Sequence, residues 1–247
     1  TYHNILLFWL LIFNIVLSHI IRSMKIISYD CFSGISGDMN LGAMIDLGID
    51  KIYLINELNK LNLKGWELIV QKDQRHGITG TKVTVKQTRH EHAHRHLSDI
   101  EQIINDSGLD IKTKDLSRKI FMKIAVAEAF VHGISVDHVH FHEVGAVDSI
   151  IDVVGAAICF NALKVDGVHV STVELGSGFV KCDHGKLPVP APATAEIIKG
   201  LPVKKGGVDF EATTPTGAAI LAALVTDFST NLPLKIEKTA YGVGQKD

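Results

Sequence analysis

Residues 147–163, reading V-D-S-I-I-D-V-V-G-A-A-I-C-F-N-A-L, restrict the possible folds more than any other stretch. At helical spacing the segment is apolar on all sides, and a helix without a polar face is buried rather than laid on a surface. The rest of the chain must therefore surround it. Asp148 and Asp152 interrupt the apolar run; four residues apart, they share one face. A carboxylate inside such a helix is costly unless something pairs with it. Two readings are open. Asp148 caps the helix and Asp152 is hydrogen-bonded in the core, or both face a cation or an imidazole cluster.

The preceding residues supply imidazoles. In V-D-H-V-H-F-H-E-V-G, His138, His140 and His142 recur at every second position. Alternate side chains of a β-strand share a face, which predicts three imidazoles on one surface and Val139 and Phe141 on the other. Glu143 follows, and Gly145 permits the turn into the helix. A second run, R-H-E-H-A-H-R-H, spaces His90, His92, His94 and His96 in the same way. After it, Ser98 and Glu101 match a capping box that opens a short helix ending near Gly108. Neutral imidazole suits nickel, zinc and copper, and ligand type does not choose among them. The four-histidine run is either a loose metal collector or a solvated loop.

The apolar fraction of 46% over 247 residues is ample for one sizeable domain or two small ones. A net charge of -2 without a long basic run excludes a nucleic-acid partner, which demands a basic surface. Cys31, Cys159 and Cys182 are too few and scattered for a disulfide framework or a cysteine-rich zinc site, which favours a reducing, cytoplasmic setting. Ile5 to Ile21 is nearly continuously apolar, but short for a membrane span and without a starting Met or basic flank. Met24 stands directly before the strand-like Lys25 to Tyr29. The expectation is a native start at Met24, residues 1–23 being an extension and residues 24–247 one domain without a membrane partner. A signal anchor is the alternative.

In chain order, strand Lys25 to Tyr29 runs into D-C-F-S-G-I-S-G-D-M-N and a helix that stops near Gly48. Strand, glycine loop and helix is an arrangement that can hold phosphate, with Ser33, Gly34, Ser36, Gly37 and Asp38 as candidates; equally, the glycines only make the turn. Asp38 is a candidate cap and Asp30 a candidate ligand-orienting group. Asp50 is expected to cap a second helix through Leu61, and Trp66–Val70 with Thr81–Val85 reads as a hairpin about Gly77 to Gly80. Lys114 to His132 has helical spacing with Gly133 as its stop. Gly167 to Glu174 reads as a strand. The Gly- and Pro-rich stretch after it reads as a long functional loop with Asp183, His184 and Lys186 as polar candidates and Pro188, Pro190 and Pro192 holding it extended. A helix begins near Thr194. Finally E-A-T-T-P-T-G-A-A-I is a second candidate anion site through Thr214 and Thr216, or an ordinary cap with Pro215 in the first turn. Together these elements predict an α/β fold, or a mixed α+β one, in a single globular domain with a buried apolar helix and a His-rich loop.

Taken together, Y-D-C-F-S-G-I-S-G-D-M, H-E-H-A-H-R-H, V-H-F-H-E-V-G-A-V-D-S-I-I-D-V-V-G-A, H-G-K-L-P-V-P-A-P-A-T and T-P-T-G-A-A-I resemble the LarC family across Met24 to Asp247. The resemblance implies nickel insertion into a thiocarboxylated pyridinium mononucleotide, giving the nickel-pincer cofactor. It implies nickel capture by His90, His92, His94, His96, His138, His140 and His142, with Glu143, Asp148 and Asp152 as adjacent catalytic candidates. It also implies dependence on CTP with a divalent metal, magnesium or manganese, held by a C-terminal part beyond this chain, which is then a fragment, a separately encoded half or a degenerate gene product. Homo-oligomerisation is a further expectation. The competing readings are a nickel or zinc storage protein or metallochaperone without catalysis, and a metal-dependent hydrolase whose metal activates water.

Overall fold

Parallel pairing of β1 (Ile26–Tyr29) with β6 (Gly167–Val170) joins the start of the fold to its middle, with Ile26 opposite Gly167 and Tyr29 opposite Val170. The structure, a computed structural model, describes residues 24–88, 95–141, 144–182, 184–228 and 233–245. The apolar leader, His90, His92, His94, His142, Glu143 and Asp183 lie outside the described residues, and with them the roles expected of those side chains.

Helices α1 (Gly37–Asp46), α2 (Lys51–Asn59), α3 (Leu97–Asp106), α4 (Ile111–His132), α5 (Val147–Leu163), α6 (Pro192–Ile197) and α7 (Pro215–Leu224) follow in chain order. The all-apolar segment is α5, with the predicted bounds, and it is the centre of the core. Ile150, Ile151, Val153, Val154 and Ala157 have no exposed surface, and α1, α2, α4 and α7 pack around them. Each such isoleucine or valine contributes about 1.5–3 kcal/mol through burial.

Local chemistry sets the other ends. The Asp50 carboxylate accepts from the backbone N–H of Tyr53 at 2.7 Å and caps α2, as its position predicts. Asp110 does the same for α4 through Thr113, and Gly133, with φ 65°, closes that helix. The start of α3 differs from expectation. His96 rather than Ser98 is its N-cap, and Asp99 rather than Glu101 accepts from the His96 backbone N–H, at 2.8 Å. Leu97 is buried, so the first turn begins early enough to carry it into the core.

The sheets are small and mixed. β2 (Trp66–Arg75) and β3 (Ile78–Gln87) form a hairpin longer than predicted, turning at His76 and Gly77, both with positive φ. β11 (Gly242–Val243) pairs parallel with β3. The strand predicted over Gly167–Glu174 is broken at Ser171 and Thr172 into β6 and β7 (Val173–Glu174), and β7 pairs instead with β10 (Val203–Lys204). Ser171 serves the neighbouring loop, its Oγ accepting from the Cys31 backbone N–H at 3.0 Å. The predicted loop after Gly176 contains a hairpin of β8 (Phe179–Cys182) and β9 (Gly185–Pro188). Pro188 ends β9, while Pro190 and Pro192 follow it and leave the ladder intact. Among the described residues no helix is long and apolar enough to cross a membrane.

Candidate functional site

Helices α1, α5 and α7 begin beside one another, and a cleft of about 380 Å³ opens between their first turns. It is lined by Ser36, Gly37 and Asp38 of α1 and its approach, by Asp148, Ser149 and Asp152 of α5, and by Thr214, Pro215 and Thr216 of α7. Thr84 and Val85 of β3, with Val144, Glu211 and Gln245, complete it. The loop after β1 is tied to α7 by a parallel bridge of Ile35 to Thr213 and by the Thr214 N–H donating to the Ile35 carbonyl at 3.1 Å. This junction leaves no room for a side chain at Gly217, whose Cβ would stand 2.2 Å from the Ile35 oxygen. The α1–α5 contact is equally close, since a Cβ on Gly37 would stand 2.4 Å from Asp152 Oδ2.

The carboxyl groups differ in their environments. Asp38 Oδ1 accepts from Ser36 Oγ and from the Met39 N–H, and its Oδ2 accepts from Gln245 Nε2 at 2.9 Å. Asp148 accepts from the Ser149 N–H at 2.9 Å. Both sit in the first turn of a helix, where the helix dipole favours a negative charge. Asp152 lies one turn deeper. Its Oδ1 is sealed from solvent and has no hydrogen-bond partner among the described residues. Burial pushes its carboxyl well above the ordinary 3.8, and the charges of Asp38 and Asp148 add to the effect. The hydrogen-bonded core aspartate is therefore not what the fold contains. Among the described residues lining the cleft there is no lysine, arginine or histidine.

The cleft unites seven of the residues picked out by sequence: Ser36, Gly37, Asp38, Asp148, Asp152, Thr214 and Thr216 all line it. Ser33 and Gly34 do not. Ser33 is exposed and Gly34, with φ 80°, turns the loop beneath Ala212. Asp38 is not the cap of α1, because Ser36 holds that position and spends its hydroxyl on Asp38. Thr214 is an N-cap, accepting from the Gly217 N–H at 3.2 Å, with Pro215 following it. Glu211, Thr84 and Gln245 were not foreseen. Glu211 opens the E-A-T-T-P-T-G segment, where the hydroxyls of the threonines are the stronger signal of a helix start. Gln245 arrives only through the pairing of β11 with β3.

The histidine stretch is not the continuous strand predicted. Val136–His138 is a turn of 3-10 helix, in which Ser135 Oγ and His138 Nδ1 lie 2.6 Å apart, and strand β5 covers His140–Phe141. The sidedness holds all the same, with Val139 and Phe141 buried and His138 and His140 exposed. β5 pairs with β4 (Arg95–His96), setting His140 opposite His96 with ring centroids 3.8 Å apart. The two histidine runs thus meet. Arg95 Nη1 donates to the Gly145 carbonyl at 2.7 Å, tying the pair to the turn that carries Val144 into the cleft wall. Among the described residues no three His, Cys, Asp or Glu side chains are placed to hold a metal ion.

The model of a family described as nickel insertion protein matches residues 27–247. The pyridinium-3,5-bisthiocarboxylic acid mononucleotide nickel insertion protein of Clostridium kluyveri is 55% identical over 236 residues, covering 91% of this chain and 59% of that protein. The protein of the same description from Clostridium acetobutylicum is 53% identical over 257 residues, covering 91% and 61%. A putative nickel insertion protein of Wolinella succinogenes is 53% identical over 226 residues, covering 91% and 57%. The chain thus spans about three fifths of the length of these curated relatives. No solved structure matches it.

Proposed function

We propose that this chain, which belongs to the nickel insertion protein family, captures nickel at its paired histidine runs and delivers it to pyridinium-3,5-bisthiocarboxylic acid mononucleotide held between α1, α5 and α7. The observation that carries this reading is the convergence on one cleft of Asp38, Asp148, Asp152, Thr214 and Thr216, which come from three distant parts of the sequence. The substrate is the one printed in the names of the relatives.

The chemistry follows from the donor types. Imidazole nitrogens of His96, His138 and His140, with His90, His92, His94 and His142 of the same runs, are exchangeable ligands that release nickel to softer sulfur. Asp38 and Asp148 give the cleft a negative potential that draws a cation inward. The substrate phosphate goes to the Thr214–Thr216 end, because at Ser36–Asp38 the Asp38 carboxylate would repel it. Glu143 adds a further acid–base group beside the histidines. As a reaction class this is metal chelation, of the lyase type.

We assign the CTP dependence implied by the family resemblance, with its magnesium or manganese ion, to the part of the relatives that this chain does not span, and no insertion step is routed through the nucleotide.

The test is a reconstitution. The chain, nickel and the mononucleotide are incubated with CTP, with and without a polypeptide supplying the remaining length of a relative, and the product is analysed by mass spectrometry. Nickelated mononucleotide is expected, and at limiting nickel it falls when His96 and His140 are replaced by alanine. Nickel retained by a chain that neither binds nor metallates the mononucleotide would support storage instead.

A further inference from the structure

The Asp152 carboxyl is the group in the cleft whose placement the fold itself does not explain. It makes close contact with α1 across Gly37, which has no Cβ to keep it away. Its Oδ1 is buried and unpartnered among the described residues, and a buried acceptor left in that state costs free energy without stabilising anything. Neighbouring Asp38 and Asp148 both have hydrogen-bond donors. Such a carboxyl is suited to exchanging a proton with whatever fills the cleft.

The substrate of the proposed reaction has a proton to give up. Thiocarboxylates at ring positions 3 and 5 flank the C–H at position 4. A nickel ion held in the ring plane by both sulfurs stands where that hydrogen is. Insertion there requires the C–H bond pair to become a carbon–nickel bond while the hydrogen leaves as a proton. Nickel keeps its oxidation state, and no oxidant or reductant is needed. We propose that Asp152, whose side chain lines the cleft, is the catalytic base that accepts this ring proton, and that it afterwards returns the proton to solvent. The proposal rests on the reading of the cleft as the insertion site.

The surroundings suit the role. Among the described residues the titratable side chains facing the cleft beside Asp152 are Asp38 of α1, Asp148 of α5 and Glu211, and β3 and α7 contribute only uncharged lining. Burial and the charges of Asp38 and Asp148 make the Asp152 carboxylate a stronger base than an exposed one. The arriving nickel cation favours its ionised form, so the base becomes available when the metal is in position.

The test uses mononucleotide deuterated at ring position 4 in the reconstituted reaction, with wild type, Asp152→Asn and Asp152→Glu. Wild type is expected to lose the deuterium in step with nickelation and to show a primary isotope effect. Asp152→Asn should nickelate about 10²-fold more slowly or worse, while nickel binding at the histidines stays unchanged. Asp152→Glu should restore part of the rate with a displaced pH profile, and it decides the matter if the asparagine variant fails to fold. An Asp152→Asn protein that nickelates at a near-wild-type rate, or that loses product while still releasing deuterium normally, overturns the proposal and leaves the insertion reading standing. A wild type that never nickelates the mononucleotide overturns both.

Discussion

His96 and His140 stand ring against ring, with centroids 3.8 Å apart and planes at 51°. Each belongs to a different histidine run, and the antiparallel pairing of β4 with β5 puts them in register. The described ends of two stretches that resemble each other in sequence, at His96 and His140, therefore share one surface. Buried Phe141, directly after His140, holds β5 against the core through Phe121 of α4, so the imidazole pair stands on a fixed base.

If the pair acts as one capture point, His96→Ala and His140→Ala should each weaken nickel binding by roughly tenfold, about 1.4 kcal/mol. The double variant should lose much less than the sum of the two, as coupled groups do. Titration calorimetry on the four proteins measures the cycle. Strictly additive losses would mean that the two rings bind nickel independently.

Gly37→Ala is expected to force α1 and α5 apart, because the new methyl would fall 2.4 Å from Asp152 Oδ2 and 2.6 Å from its Cβ. Overpacking of this kind costs about 1–3 kcal/mol, read as a lower urea midpoint. Nickelation should fall as well, since the same displacement moves Asp152.

Replacing Asp152 by asparagine should stabilise the fold at neutral pH. The folded-state carboxyl titrates well above its ordinary 3.8, chiefly through burial. Its contribution to stability is thus fully present below that value and is lost as pH rises towards the raised one. The melting temperature of wild type should fall relative to Asp152→Asn as pH rises from 3.8, with the two proteins converging in acid. Constant separation across that range would contradict the assignment.

Asp46 has the opposite sign. Burial opposes its ionisation, but hydrogen bonds from Lys72, from the Tyr241 N–H at 3.0 Å and from Thr81 Oγ1 at 2.7 Å outweigh it and hold the carboxyl below 3.8. Its stabilisation is present above 3.8 and is lost as pH falls through the lowered folded value. Asp46→Asn should cost about 1–3 kcal/mol at neutral pH. Urea unfolding at neutral pH and in acid should show that deficit closing as the wild-type carboxyl protonates.

What could be read from the sequence was what neighbouring residues decide. An all-apolar run gives α5, an aspartate ahead of a periodic segment gives the start of α2, and Gly133 gives the end of α4, each within a few residues of the observed bounds. The cleft was readable in pieces, as Asp148 with Asp152, the Ser36–Asp38 loop and Thr214–Thr216. Their meeting depends on the Ile35–Thr213 bridge and the β1–β6 pairing, which no local pattern encodes. The β8–β9 hairpin was hidden by its glycine and prolines, which signal a loop equally well. The 3-10 turn at Val136–His138 escaped notice because alternation of histidines mimics a strand.

The clasp at Asp46 also sets an order of events during synthesis. Tyr241 reaches back to α1 through Asp46, and Gln245 reaches Asp38. On the ribosome, His96 and His140 emerge long before either of these residues. A chain growing from its N-terminus therefore carries both imidazoles well before Gln245, which hydrogen-bonds Asp38 at the rim of the cleft, has been made.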